Sequence, residues 1–153
     1  MRNQALVVVM MVAGTAHADL CSDANGRNIL AGPILGWKPG GNSGLIVGVE
    51  GGVGCGTMRL NAGFEYRDHK GLTYVEFDPW FLLGASFGLG VDTGGELTGM
   101  IGTWEAVPLV YQTCRHDTQT IAMLSFGYRY TGVHELYISV KAGELAGDSG
   151  CFD

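Results

Sequence analysis

From residue 57 to residue 67 the chain alternates without a break. Thr57, Arg59, Asn61, Gly63, Glu65 and Arg67 fall on one side, and Met58, Leu60, Ala62, Phe64 and Tyr66 on the other. Successive side chains of a β-strand point to opposite faces, so a period of two predicts a strand with one polar and one apolar face. The period recurs along the chain. Residues 44–53 set Leu45, Val47, Val49 and Val53 against Ile46, Gly48, Glu50 and Gly52, and residues 81–91 set Phe81, Leu83, Ala85, Phe87, Leu89 and Val91 against Leu82, Gly84, Ser86, Gly88 and Gly90. Thr120, Ala122, Leu124, Phe126, Tyr128 and Tyr130 oppose Gln119, Ser125, Gly127 and Arg129 over 118–131, and Leu136, Ile138, Val140 and Ala142 oppose Tyr137, Ser139 and Lys141 over 134–143.

Three further strands are expected over 29–38, 71–78 and from 96 to about 105. The last has the weakest register, because Leu97 and Ile101 share a face with Thr103 and Glu105. Turn-forming runs separate the segments: "PGGNS" at 39–43, "GCG" at 54–56, "DHK" at 68–70, Asp78-Pro79-Trp80, and "DTGGE" at 92–96. A longer connection is expected between 105 and about 117. No stretch after the first eighteen residues keeps an apolar stripe at helical spacing. The expected fold is all-β: a closed, antiparallel, up-and-down eight-stranded barrel over 29–143, with an N-terminal extension at 19–28 and a C-terminal tail at 144–153.

Such a strand leaves open which face meets solvent. The polar faces are rich in Gly and Ser, with single charges spaced along them: Glu50, Arg59, Glu65, Glu76, Glu105, Arg129 and Lys141. A soluble exterior carries more Lys and Glu and fewer glycines, whereas a narrow eight-stranded interior has room for small residues and a few long, mutually paired ones. The apolar faces hold aliphatic residues mid-strand and aromatics toward the ends: Trp37, Tyr66, Trp80, Phe81, Trp104, Tyr128 and Tyr130. A belt of aromatics around an aliphatic band is what a bilayer selects, since amphipathic rings sit well at headgroup depth. The expected lumen is therefore polar and the expected exterior apolar.

The first eighteen residues, "MRNQALVVVMMVAGTAHA", combine Arg2, an apolar run from Ala5 to Val12 and the small-x-small sequence Ala16-His17-Ala18. This predicts a secretory signal peptide over 1–18, cleaved before Asp19, with an apolar core too short for the roughly 20 residues of a spanning helix. Cleavage would remove Arg2 from the nine Lys and Arg and none of the fifteen Asp and Glu, leaving 8 − 15 = −7. A chain so acidic, without clustered cations, is not expected to bind nucleic acid.

The signal, the eight amphipathic strands, and above all "TMRLNAGFEYR", "WFLLGASFGLGVD" and "TIAMLSFGYRYTG" resemble small outer-membrane β-barrels of the OmpA/OmpX type. The resemblance is one of pattern and spans nearly all of the mature chain. It implies residence in a Gram-negative outer membrane among membrane lipids, periplasmic termini and a mostly occluded polar lumen. Such barrels usually end on a strand with a terminal aromatic residue and carry long outer loops. Here "AGELAGDSGCFD" follows the eighth strand, and the presumed outer turns are short.

The strand count puts Cys21, Cys55, Cys114 and Cys151 all at the end of the barrel that carries the termini. An even number of cysteines in an oxidising compartment points to two disulfides, and neighbouring strands favour Cys21 with Cys55 and Cys114 with Cys151. Their spacing does not suggest a metal site, and no cofactor motif is present. His69 and His134 fall in turns near Ser43, Asp68, Asp92 and Glu135, where a lipid-modifying site at the rim is conceivable. No catalytic residue is assigned, because solvated turn residues account for the same pattern, as they do for His116 in "CRHDTQ". The expected role is structural or interactive. The alternatives are a soluble, secreted or periplasmic barrel resembling a lipocalin with an apolar ligand in its lumen, and a rim-located lipid-modifying enzyme.

Overall fold

A computed structural model describes residues 27–39, 44–55, 58–79, 83–115 and 118–146. The expected signal peptide, Trp80, Phe81, Cys21 and Cys151 lie outside these residues. Eight strands run in chain order: β1 (Arg27–Lys38), β2 (Gly44–Cys55), β3 (Met58–Arg67), β4 (Lys70–Asp78), β5 (Leu83–Asp92), β6 (Leu97–Arg115), β7 (Thr118–Tyr130) and β8 (His134–Ala146). Each pairs antiparallel with its neighbour, and β8 pairs with β1 to close the barrel.

The register fixes the barrel's shape. From Ile29 the pairs run through Val53, Leu60, Phe77, Phe87, Ile101 and Tyr130 to His134, which faces position 39, two beyond the Trp37↔Leu136 pair. One circuit thus advances the chain by 39 − 29 = 10 residues. With strands about 4.8 Å apart and about 3.3 Å of rise per residue, that stagger over eight strands tilts them by about 40°, and a ten-residue strand then spans about 25 Å along the axis.

The closing ladder between β1 and β8 has no pairs at Gly32 and Pro33, between Ala31↔Ala142 and Ile34↔Ser139. Pro33 has no N–H to donate, and a side chain at Gly32 would run into the Val140 carbonyl. The turn between β3 and β4 holds only Asp68 and His69, both with positive φ, 49° and 64°. This is the two-residue geometry that matches strand twist and favours glycine. Since a left-handed backbone costs a residue with a Cβ roughly 1–2 kcal/mol, His69→Gly is expected to raise unfolding free energy by about 1 kcal/mol, read as a rightward shift of the urea midpoint at unchanged slope. A leftward shift would mean that the imidazole makes a stabilising contact.

The principal departure from expectation is β6. It is a single strand of 19 residues, so the long connection expected after Glu105 is instead strand, and Arg115 pairs with Thr118 across a two-residue link. Val107, Val110, Tyr111 and Thr113 favour extended backbone. Two register shifts, between Pro108 and Val110 and between Gln112 and Cys114, absorb Pro108 and the added length. Both lie beyond Glu105, so the alternation set by Phe87↔Ile101 and Leu83↔Glu105 passes unchanged through that part of the strand. Trp104 therefore points inward and Glu105 outward, the reverse of the sets in which the sequence placed them. A period-two pattern can exchange faces only at a bulge.

Candidate functional site

The lumen collects the chain's buried ionic groups. Glu50, Arg59, Glu65, Glu76, Arg129 and Lys141 are all buried, as are Asn28, Asn61, Asp78, Glu135, Ser86, Ser125 and Ser139. The outer surface carries Ile29, Leu35, Val47, Val49, Phe87, Leu89, Leu136 and Val140, each exposed. Of the expected belt, Trp37, Tyr66, Tyr128 and Tyr130 are exposed on that surface and Trp104 is inside.

Near the four turns, Arg129 sits at the centre of the packing. Its guanidinium donates to Glu65 Oε1 at 2.7 Å and Oε2 at 2.6 Å, and to Glu135 Oε2 at 3.0 Å. Glu135 Oε1 accepts from Arg67 and, at 2.8 Å, from Thr131 Oγ1. Arg129 also lies between two aromatic faces, its guanidinium carbon 5.2 Å from the Tyr74 ring centre and 5.6 Å from that of Tyr137. Those rings can lie against the wall because glycine stands opposite each. Tyr74 pairs with Gly63 and Tyr137 with Gly127, and a Cβ on either glycine would strike the ring. A single planar cation so joins three strands, β3, β7 and β8, through a fork that lysine cannot reproduce.

Deeper in the lumen Tyr74 donates its hydroxyl to Glu50 Oε2 at 2.7 Å, and Lys141 pairs with Glu50 Oε1. Asn61 donates to Asp78 Oδ2. Beside these polar groups lies an apolar cluster of Leu30, Trp104, Ala106, Ile121 and Met123, with Tyr137 against it. A second cluster of Ile34, Leu72, Tyr74 and Met100 packs against Tyr137 as well. The interior is thus part ionic and part apolar, where the sequence suggested polar filling alone.

At the turn end a cavity of about 220 Å³ opens among Lys38, Arg67, Lys70, Asp92, Glu96 and Glu135. Its cations are engaged: Lys38 with Asp68, Arg67 with Glu135, and Lys70 with Asp92 at 2.8 Å. Lys70 and the Glu96 and Gly94 amides all donate to the Asp92 carboxylate.

Of the described residues weighed for rim chemistry, Asp68, Asp92 and Glu135 line the turn-end cavity, whereas His69 and His134 do not. His134 is exposed and bonds Tyr128 Oη through Nδ1 at 2.6 Å, whereas the adjacent Glu135 points into the lumen. His69 is exposed in its turn, and Asp68 is taken by Lys38. His116 and Ser43 lie outside the described residues. Among the described residues no group of three His, Cys, Asp or Glu is placed to hold a metal ion. Cys55 is not free.

Sequence reasoning gave no lumen role to Tyr74, Tyr137 or Asn61, nor to the apolar fillers Ile121 and Met123, and it weighed Glu135 only as a rim acid and Asp78 only as a turn residue. The signal was there in part: Met123 has the parity of Ser125 and Arg129, and Tyr74 and Tyr137 each have a cross-strand glycine.

No protein-family model and no curated protein matches the chain. A solved structure from the de novo design of transmembrane beta-barrels shares its fold. The match has a TM-score of 0.57 at 9% sequence identity, over 76% of this chain and 94% of the designed one. The class this defines is the closed eight-stranded antiparallel β-barrel with an outward apolar face.

Proposed function

We propose that this chain is an outer-membrane β-barrel of structural or interaction role, without enzymatic activity, whose side-chain-filled lumen provides no open pore. The observation that carries the reading is the inverted polarity: Arg59, Glu65 and Arg129 are buried inside, while Phe64, Val49 and Leu89 are 42%, 61% and 60% exposed outside. A soluble barrel would leave that apolar belt in water at about 25 cal/mol per Å², and a lipocalin-like one would need an apolar lumen where this one is crossed by ion pairs. The tilt of about 40° and the span of about 25 Å suit the height of the outward apolar band in such barrels.

In this reading residues 1–18 are the export signal, and the end carrying the termini is periplasmic. Arg27 pairs there with both Cys55 and Ala146, and Cys114 lies at the same end, opposite Gln119. This arrangement supports disulfides Cys21–Cys55 and Cys114–Cys151. Finding Cys21 joined to Cys114 by non-reducing peptide mapping would overturn that pairing.

The membrane assignment is tested by carbonate washing of membranes from cells expressing the full chain, with gel mobility compared before and after boiling. Retention in the pellet and a faster-migrating unboiled band are expected. Release into the carbonate supernatant would overturn the reading.

A further inference from the structure

We propose that the lumen contains a built site for one water molecule, held between the Trp104 indole and the side chains of Asn61 and Asp78. A small internal cavity of about 10 Å³ is lined by these three residues together with Glu50, Glu76 and Lys141 among others. That volume corresponds to about one water centre. Among the described residues, three polar atoms of this lining have no protein partner, namely Trp104 Nε1, Asn61 Oδ1 and Asp78 Oδ1. Their residues are 5%, 2% and 3% exposed, so bulk solvent does not serve them. One N–H of Asn61 Nδ2 goes to the other oxygen of Asp78, and the unpartnered atoms on the residues that line the cavity are then one donor and two acceptors.

The ligand that satisfies this set accepts one hydrogen bond and donates two. Water does so, reaching the ordinary count of about three bonds for a buried water. Each unmet buried polar group carries a desolvation penalty, so the three together select strongly for an occupant. A metal or alkali cation would be drawn by the two oxygens, but it would face the positive end of the indole N–H and share its pocket with the Lys141 ammonium. An anion would meet Glu50, Glu76 and Asp78. The site thus favours a neutral ligand with a single heavy atom that both donates and accepts.

The test uses the mature barrel, ¹⁵N-labelled and folded in deuterated detergent micelles. The Trp104 indole resonance is assigned by its loss in Trp104→Phe, and its cross-peaks to water are measured in paired NOESY and ROESY spectra. A direct cross-relaxation peak is expected, of the sign given by a water that stays bound longer than the barrel takes to tumble. The exposed Trp37 indole, 49% exposed on the outer surface, should show none of that sign. In Asn61→Leu, which removes one acceptor and leaves the indole in place, the Trp104 peak should fall severalfold. Absence of the peak in the unsubstituted barrel overturns the proposal. So does a saturable shift of the Trp104 indole on titration with sodium or potassium chloride, which would assign the pocket to a cation. Because the pocket is interior, neither result depends on whether the barrel resides in a membrane.

Discussion

Arg129→Ala is expected to lower the unfolding free energy of the barrel by about 3–5 kcal/mol, the usual cost of leaving buried charges without their counter-ion. The substitution removes every hydrogen bond from Arg129 to Glu65 and its bond to Glu135. It leaves two carboxylates, each 0% exposed, in one lumen. Of these, Glu135 keeps Arg67 and Thr131 as donors. Glu65 has no other ion-pair partner among the described residues, so it takes the larger penalty. The loss also empties the space between the Tyr74 and Tyr137 rings. Urea titration followed by tryptophan fluorescence reads the change as a fall in midpoint. Adding Glu65→Gln to Arg129→Ala should recover a substantial part, because the uncompensated charge goes with it. A loss below about 1 kcal/mol for the single substitution is what a hydrated, exposed pair would give, and it would refute a filled lumen.

This network shows how far the sequence could be read. The alternation in residues 57–67 suffices to place Arg59 and Glu65 on one face, and the glycines on neighbouring faces suffice to suggest that this face is inside. Which carboxylate Arg129 meets could not be read, because Glu65 is 64 residues away and comes into reach only through the ten-residue stagger around the barrel. Trp104 and Glu105 were misplaced for a related reason. An aromatic followed by an acid looks like a belt residue followed by a lumen residue, but parity is inherited from the paired strand, and β5 fixes it through Leu83↔Glu105. The strand beyond Glu105 was illegible because Pro108 reads as a breaker, whereas a bulge beside it lets the ladder continue.

The same stagger gives the outer surface a depth coordinate, which allows the bilayer itself to be tested. Val49 lies at the middle of β2, outward and 61% exposed, while Leu45 lies at its turn end, outward and 62% exposed. Four residues of strand tilted by about 40° separate them by about 10 Å along the axis. In water the two positions are equivalent: an arginine replacing either residue adds a charge to an exposed site and changes stability by no more than about 0.5 kcal/mol. In a bilayer they differ, because an arginine on the lipid face costs about 2–4 kcal/mol at the midplane and about 0–1 near the interface. Val49→Arg is therefore expected to destabilise the barrel in phospholipid vesicles by about 2–4 kcal/mol and Leu45→Arg by no more than about 1 kcal/mol, both measured by reversible guanidinium unfolding. The difference between the two variants carries the argument, since it cancels whatever β-propensity arginine loses to valine or leucine in a strand. Equal and small effects would place the apolar face in water, and the inverted polarity of the barrel would then need a protein partner instead of a lipid one to cover it.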